Sequence, residues 1–134
     1  SQAGVPVRLV IRGICCLVPG VPGVSDNIEA FSIVDRFLEH ARIYFFHHGG
    51  QSRLYLASAD WMKRNLSGRV EVAFPITSKK LEKELLHMLK LQLKDNTKSR
   101  FINMTQSNPF KRSRSSKKVR AQQDFYEFLK AKSQ

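Results

Sequence analysis

Cysteine is among the scarcest residues in this 134-residue chain, with only Cys15 and Cys16. Two adjacent cysteines cannot build a framework of disulfides, and they differ from a metal-binding pair separated by two residues. Together with His40, His47 and His48 they match no zinc pattern. We therefore predict two buried thiols at the end of a strand, and no metal ligands within the chain.

Long apolar runs are also missing. No stretch approaches the roughly 20 apolar residues needed to span a bilayer, and no secretory signal pattern opens the sequence. These features predict a soluble, cytoplasmic protein. Peripheral contact with the inner face of a membrane stays open as an addition, because the C-terminal part is basic.

Acidic residues are few. The chain has 11 of them against 23 lysines and arginines, which gives a net charge of +12. This excess favours anionic partners such as nucleic acid, polyphosphate, nucleotides or a membrane surface, without choosing among them. The length and the apolar content of 42% suit one globular domain.

The most informative stretch of the sequence is 39–65. Two strand-like runs, 41–47 and 53–58, are rich in Ile, Tyr, Phe and Leu. Between them, Gly49 and Gly50 supply the positive φ angles that a tight hairpin needs. We expect this hairpin to bring its two ends together.

Those ends carry residues suited to phosphate chemistry. His40 and Arg42 lie at the start of the hairpin, and Ser58, Asp60 and Asn65 lie at its end or follow it. Histidine suits attack on phosphorus or protonation of a leaving oxygen near neutral pH. A fixed cation stabilises the charge that spreads over the oxygens of a transferring phosphoryl group. The stretch therefore predicts a candidate active site.

Arg12 is a second candidate for contact with phosphate. The alternation of apolar residues over 5–14 predicts a strand, and Arg12 falls near its carboxyl end. Ligands of open α/β sheets collect at that edge, and an arginine followed by Gly13 suits a phosphate approaching the backbone. A solvated arginine on a sheet edge is the alternative.

Periodicity predicts the other elements. The apolar residues of 28–38 recur at helical spacing, which predicts a short helix that delivers His40. Further along, the pattern predicts a strand at 69–76, a helix from a Thr77 cap to about 94, a strand at 100–104 and a helix at 119–130. With no internal repeat, this order predicts a single α/β or α+β domain with a mixed sheet flanked by helices.

The segment 107–120 carries six basic residues and no acidic one. Such runs are typical of flexible, solvated loops. The functional alternative is a loop that contacts a polyanion through its positive side chains. Those side chains would be Arg112, Arg114, Lys117, Lys118 and Arg120.

Several longer strings carry a resemblance to a known family. They are VRLVIRGICCLVPGVPGVSDNI, SIVDRFLEHARIYFF, YLASADWMKRNLSGRVEVAFPI and VRAQQDFYEFLK. Together they are similar to the C-terminal catalytic domain of bacterial polyphosphate kinase over nearly the whole chain. HAR at 40–42 followed by SADW at 58–61 also resembles the phospholipase D pattern, a His-x-Lys and then a Gly-Ser-x-Asn-like turn.

The resemblance implies an enzyme that reversibly moves the terminal phosphate of ATP onto inorganic polyphosphate, with Mg²⁺. It implies two phospholipase D-like halves around one site, with the autophosphorylated histidine in the other half. By resemblance, Arg12 grips nucleotide phosphates, and His40 is a nucleotide contact and acid–base partner. Candidate further contacts with phosphate or polyphosphate are Arg42, Asp60, Arg64, Asn65, Lys117 and Lys118.

The resemblance also sets the expected organisation. We expect residues 1–134 to form a C-terminal phospholipase D-like domain of a longer chain, with 107–120 as a basic loop within it. The expected partners are ATP or ADP, inorganic polyphosphate and the N-terminal remainder of the same enzyme, in a homo-oligomer at full length, with no specific nucleic acid. The magnesium ligands are expected in that remainder, so we expect this chain alone to be inactive as a kinase.

Two departures from the family pattern keep other functions open. Arg42 replaces the lysine of the pattern, which exchanges a point charge for a planar fork. Only one copy of the motif is present. One alternative is a phospholipase D-like phosphodiesterase or nuclease completed by homodimerisation. The other is a non-catalytic, basic nucleic-acid-binding domain, although no RNA- or DNA-reading motif is recognisable.

Overall fold

The computed structural model describes residues 1–113 and 117–133. Its elements are β1 (Val7–Val10), β2 (Ile28–Ile33), β3 (Ile43–His48), β4 (Gln51–Ala57), α1 (Lys63–Gly68), β5 (Ala73–Pro75), α2 (Lys79–Lys94), β6 (Ser99–Ile102) and α3 (Ala121–Lys132). The chain divides into two compact units, the first formed by Ser1–Glu39 with the chain from Met88 onward, the second by His40–His87. No helix in the described ranges is long and apolar enough to cross a membrane.

The strands form two three-stranded sheets, one in each unit. The sequence predicted the α/β class, which is confirmed, but it placed the strands in one mixed sheet. Which strands pair depends on contacts between segments far apart in the sequence, and local periodicity carries no information about them.

The sheet of the first unit has the order β1-β2-β6 and is mixed. β1 runs parallel to β2, with Leu9 opposite Ala30. β2 runs antiparallel to β6, with Phe31 opposite Phe101 and their ring centroids 5.4 Å apart. The core of this unit therefore lies around its central strand, β2.

The helix predicted over 28–38 is wrong, because 28–33 form β2. Ala30, Phe31 and Ile33 are buried along this central strand. A strand covered on both faces shows no clean alternation, so its apolar residues were mistaken for a helical stripe. The residues that would have continued that stripe, Val34 and Phe37, are exposed.

The sheet of the second unit has the order β3-β4-β5 and is antiparallel. The predicted hairpin is confirmed, with Gly49 and Gly50 at φ angles of 51° and 80° between β3 and β4. Both angles are positive, as a type I′ turn requires. Leu54 of β4 is buried in this unit.

The other predicted elements are present with shifted bounds. The strand predicted over 69–76 is reduced to β5, and α1 precedes it. The cap of α2 is Ser78 instead of Thr77, since the Leu81 N–H donates to Ser78 Oγ (3.5 Å). β6 and α3 lie within two residues of the predicted strand and final helix.

The prediction of buried thiols at a strand end is wrong. β1 ends at Val10, and both cysteines lie in the irregular segment that follows it. Cys15 is half-buried and Cys16 is exposed. The strand predicted over 5–14 was too long. The apolar alternation included Ile14, but this residue is exposed, and periodicity alone did not indicate its exposure.

Asp95 connects three segments of the first unit. Its side chain is buried. Oδ1 accepts hydrogen bonds from the backbone N–H groups of Thr97 (2.9 Å), Lys98 (2.7 Å) and Ser99 (3.1 Å). Oδ2 accepts one from the N–H of Ala121 (2.7 Å). One carboxylate therefore holds the start of β6 and the start of α3 beside the end of α2.

Candidate active site

His40 and Arg42 lie next to each other at the start of the hairpin. The Ala57 N–H donates to the Arg42 carbonyl (3.1 Å), which extends the pairing of β3 with β4 beyond Ile43. Because side chains alternate along a strand, Arg42 shares a side with Tyr44. The exposed imidazole of His40 has its Nδ1 3.5 Å from Nη1 of Arg42.

Asp60 holds the Arg42 guanidinium from the other end of the hairpin. Arg42 Nε donates to Oδ1 of Asp60 (2.8 Å) and Nη2 donates to Oδ2 (3.3 Å). The two side chains are 18% and 22% exposed. The hydrogen bond that Arg42 donates to the Asp60 carboxylate raises the pKa of Arg42, so the cation is fixed in charge and in orientation. The predicted approach of the two hairpin ends is confirmed by this pair.

This ion pair bears on the predicted contact of Asp60 with phosphate. A carboxylate repels a phosphate, and here it binds the guanidinium that would attract one. The Nη1 edge of Arg42 faces His40, whereas the opposite edge is occupied by Asp60. Contact of Asp60 with phosphate therefore stays a prediction, with its carboxylate bound to Arg42.

Glu71 forms a second cluster with Ser58 and Asn65. Ser58 Oγ donates to one Glu71 carboxylate oxygen, and Asn65 Nδ2 donates to the other (2.6 Å). Ser58 Oγ also accepts from the N–H of Val72 (3.1 Å). The hydrogen bonds from Ser58 and then Asn65 lower the pKa of Glu71, although burial acts in the opposite direction.

Sequence reasoning missed Glu71. In the string RVEVAFPI it occupies a polar position of an alternating strand, which gives it no special status. Its partners come from 13 and 6 residues earlier in the chain. No spacing rule in the sequence indicates that Ser58 and Asn65 share this acceptor.

Asn65 lies in the interior of its unit, on α1. Its Nδ2 is engaged by Glu71, and its buried Oδ1 has no hydrogen-bond partner within 1–113 and 117–133. A carbonyl oxygen accepts hydrogen bonds and does not donate them to phosphate. Contact of Asn65 with phosphate stays a prediction, and one of the two N–H donors of its amide already binds Glu71.

The basic candidates outside the hairpin differ in their surroundings. Arg64, Lys117 and Lys118 are exposed. Arg114 lies outside the described residues. The Arg120 side chain, in contrast, forms an ion pair with Asp35.

The described part of the basic segment is anchored to the first unit. The Phe101 N–H donates to the Pro109 carbonyl (2.9 Å), and the Lys111 N–H donates to the Ser99 carbonyl (2.8 Å). These bonds run along β6. After residues 114–116, the Asn96 side chain donates to the Lys117 carbonyl (3.0 Å). Hydrogen bonds to backbone groups therefore hold the described ends of the segment. The prediction of a flexible, solvated loop did not include these hydrogen bonds.

Arg12 follows β1 in the first unit and is half-buried. The Ile11 N–H donates to the Phe31 carbonyl (2.8 Å), so the pairing with β2 continues to the residue before Arg12. This places Arg12 at the carboxyl edge of two parallel strands, as predicted. Its role as a phosphate contact stays a prediction, and so does its cooperation with His40, which belongs to the second unit.

An aromatic pair adjoins the Arg42–Asp60 pair. The rings of Tyr44 and Trp61 stack with centroids 5.4 Å apart and an interplanar angle of 21°. The Tyr44 hydroxyl donates to the Ala59 carbonyl (2.9 Å). Burial raises the pKa of Tyr44, so the phenol stays protonated at neutral pH.

The described residues do not fit a magnesium site. Within 1–113 and 117–133, no group of three or more His, Cys, Asp or Glu side chains could hold a metal ion. The two carboxylates of the second unit described above, Asp60 and Glu71, already accept hydrogen bonds from Arg42 and from Ser58 and Asn65.

The site combines an imidazole with a fixed guanidinium on an α/β fold, an arrangement that suits contact with phosphate groups. Comparison with protein families identifies the family of the chain. The family model of the polyphosphate kinase C-terminal domain 2 matches residues 1–122. The chain belongs to this family.

Individual proteins agree with the family match. The chain is 48% identical over 128 residues to the polyphosphate kinase of Halalkalibacterium halodurans, which covers 95% of this chain and 18% of that protein. It is 45% identical over 131 residues to the polyphosphate kinase of Escherichia coli K12, covering 98% of this chain and 19% of that protein. The chain thus spans about a fifth of the length of these relatives.

A solved structure shows the same fold. The crystal structure of polyphosphate kinase from Porphyromonas gingivalis matches with a TM-score of 0.93 and 46% identity. The match covers 98% of this chain and 20% of that one. The family resemblance seen in the sequence and its predicted α/β class are both confirmed.

Proposed function

We propose that the chain acts as the C-terminal part of a polyphosphate kinase, which reversibly transfers the terminal phosphate of ATP to inorganic polyphosphate. The observation that carries this proposal is the family match over residues 1–122, which includes both Arg12 and His40. The close pair of His40 and Arg42 supports it, because an imidazole beside a fixed cation suits phosphoryl transfer.

In this proposal His40 contacts the transferring phosphate and moves a proton to or from its bridging oxygen. Arg42, oriented by Asp60, faces His40 with its remaining edge. A cation there stabilises charge on the phosphoryl oxygens. Arg12 binds the phosphates of the nucleotide. Arg64, Lys117 and Lys118 contact polyphosphate, whose dense charge suits exposed cations.

The partners follow from the same proposal. ATP or ADP and polyphosphate are the substrates, and the N-terminal remainder of the enzyme supplies the phosphorylated histidine and the ligands of Mg²⁺, in a cytoplasmic homo-oligomer. We also propose that residues 1–134 act as one phospholipase D-like catalytic domain with 107–120 as its basic loop. On this basis the chain alone binds its substrates and has no kinase activity.

The test measures binding and turnover by the 134-residue chain. Calorimetric titration with ATP and with inorganic tripolyphosphate should show binding of both, weakened about tenfold or more by Arg12→Ala and by His40→Ala. Arg8→Ala on β1 and His48→Ala at the end of β3 are the matched controls, because both side chains are exposed and neither is a candidate contact.

Two results would contradict the proposal. One is equal weakening by the control variants, which would indicate charge-driven binding without a site. The other is incorporation of labelled phosphate from ATP into acid-insoluble polymer by the chain alone, which would overturn the assignment of the phosphorylated histidine to another segment. Hydrolysis of DNA without magnesium would favour the phosphodiesterase alternative.

A further inference from the structure

The single tryptophan of the chain lies with one ring face on a tyrosine and most of its surface in solvent. Trp61 is 70% exposed and stacks on Tyr44. Tryptophan is buried over most of its surface in most proteins, and tryptophan and tyrosine are enriched at binding interfaces.

The tyrosine below it is held rigidly. Its hydroxyl donates to the carbonyl of Ala59, which is itself buried, and its backbone belongs to the β3–β4 pairing. Trp61 therefore rests on a fixed ring and presents the opposite face of its indole. A planar aromatic ligand could stack there without moving the protein, which favours binding.

The neighbours of this aromatic pair bind phosphate in the proposed function. Arg42 lies two residues before Tyr44 on the same side of the strand, about 7 Å along it, and its partner Asp60 directly precedes Trp61. His40 contacts the same guanidinium. An aromatic platform, a cation and an imidazole thus follow one another at this end of the hairpin.

We propose that Trp61 is a stacking platform for the nucleobase of the ATP or ADP whose phosphates lie at Arg42 and His40. The proposal rests on the proposed function and adds a contact for the base. Every nucleobase has a π-face, so stacking alone tolerates adenine and guanine alike. Trp61 therefore contributes affinity for nucleotides and none for inorganic polyphosphate, which has no ring.

The lone tryptophan provides a direct readout. Titrating the 134-residue chain with ATP should quench its indole emission, whereas inorganic tripolyphosphate should bind with little quenching. By calorimetry, Trp61→Leu should weaken ATP binding about tenfold and leave tripolyphosphate binding unchanged, and Trp61→Phe should recover most of the loss. Tyr126→Leu, which removes an exposed aromatic ring from α3, is the control and should change neither.

The results of these titrations either support the stacking platform or overturn it. Equal loss of ATP and tripolyphosphate binding in Trp61→Leu would overturn it, since that pattern indicates a structural role. If both ligands bind and respond to His40→Ala but ATP leaves the emission unchanged, the platform is overturned and the proposed function stands. If neither ligand binds, both fail. Tighter binding and stronger quenching by single-stranded poly(A) than by ATP would overturn the mononucleotide assignment in favour of nucleic acid.

Discussion

The guanidinium of Arg120 forms a two-point ion pair with Asp35, 85 positions earlier in the chain. Nε lies 2.8 Å from Oδ2 and Nη2 lies 2.6 Å from Oδ1. The side chain of Asp35 is 2% exposed and that of Arg120 is 42% exposed. A residue from the basic segment thus holds the start of α3 to the segment after β2, and its charge is committed to the fold.

This pair predicts an acid-sensitive contribution to stability. The hydrogen bond from Arg120 lowers the pKa of Asp35 below its usual value. The stabilisation of the fold by this ion pair is therefore complete above the pKa of an unfolded aspartate, about 3.9. It is lost as the pH falls through the lower pKa that Asp35 has in the folded protein. We expect Arg120→Met to lower the melting temperature at pH 7 and to flatten its decline below about pH 4.

The comparison is thermal unfolding of wild type and variant from pH 7 to pH 2. Arg8→Met is the control, because its pair with Glu29 is longer (3.4 Å) and exposed on both sides. Melting curves of wild type and Arg120→Met that decline in parallel would refute the linkage.

Asp95 predicts a larger loss of stability. Asp95→Ala leaves four backbone N–H groups without their acceptor and should lower the free energy of unfolding by about 3 kcal/mol or more. Asp95→Asn keeps one acceptor oxygen and should lose less. Urea denaturation measures both, with Asp26→Ala, an exposed residue that accepts one backbone hydrogen bond, as control. Equal effects of Asp95→Ala and Asp26→Ala would contradict this account.

The turn of the hairpin predicts that its two adjacent glycines differ in how well they tolerate substitution. Gly50, at φ 80°, should tolerate alanine poorly, with a loss of about 1 kcal/mol. Gly49→Asn should be nearly neutral, because Asn-Gly suits this type of turn. Chemical denaturation of the two variants tests this, and a more damaging effect at Gly49 would mean that another turn type is formed.

Much of this architecture was predictable because its causes are local. Gly49 and Gly50 specify a hairpin from two adjacent positions, and the apolar stripe of α3 lies within one helix. β2 was mistaken for a helix because its neighbours, β1 and β6, lie about 20 and 70 positions away, and only their pairing explains its burial.

The candidate site shows the same limit. The approach of His40, Arg42 and Asp60 followed from the hairpin, which is a local feature. Glu71 was missed because its role depends on where Ser58 and Asn65 point, and no spacing rule contains that information. The Arg120–Asp35 pair was missed for the same reason.

The Arg42–Asp60 pair predicts an unusual response to mutation. Asp60 compensates the charge of Arg42, so Asp60→Asn should release one positive charge beside His40. We expect tripolyphosphate to bind more tightly. We also expect its affinity to fall more steeply with salt concentration, by a slope that corresponds to about one additional released counterion. Calorimetry at several salt concentrations measures both effects, with Asp26→Asn as control. Weaker binding would mean that orientation of Arg42 matters more than its charge.

Asp95 also determines how the first unit opens. The Asp95 carboxylate accepts hydrogen bonds from the N–H groups of both Ser99 and Ala121. If α3 detaches, the buried carboxylate loses a hydrogen-bond donor. We therefore expect its contact with the start of β6 to be lost in the same opening event. Fraying of the last helix is thereby coupled to the central sheet. The amides of Ser99 and Ala121 should exchange with solvent deuterium at one common, slow rate, as members of a single cooperative unit.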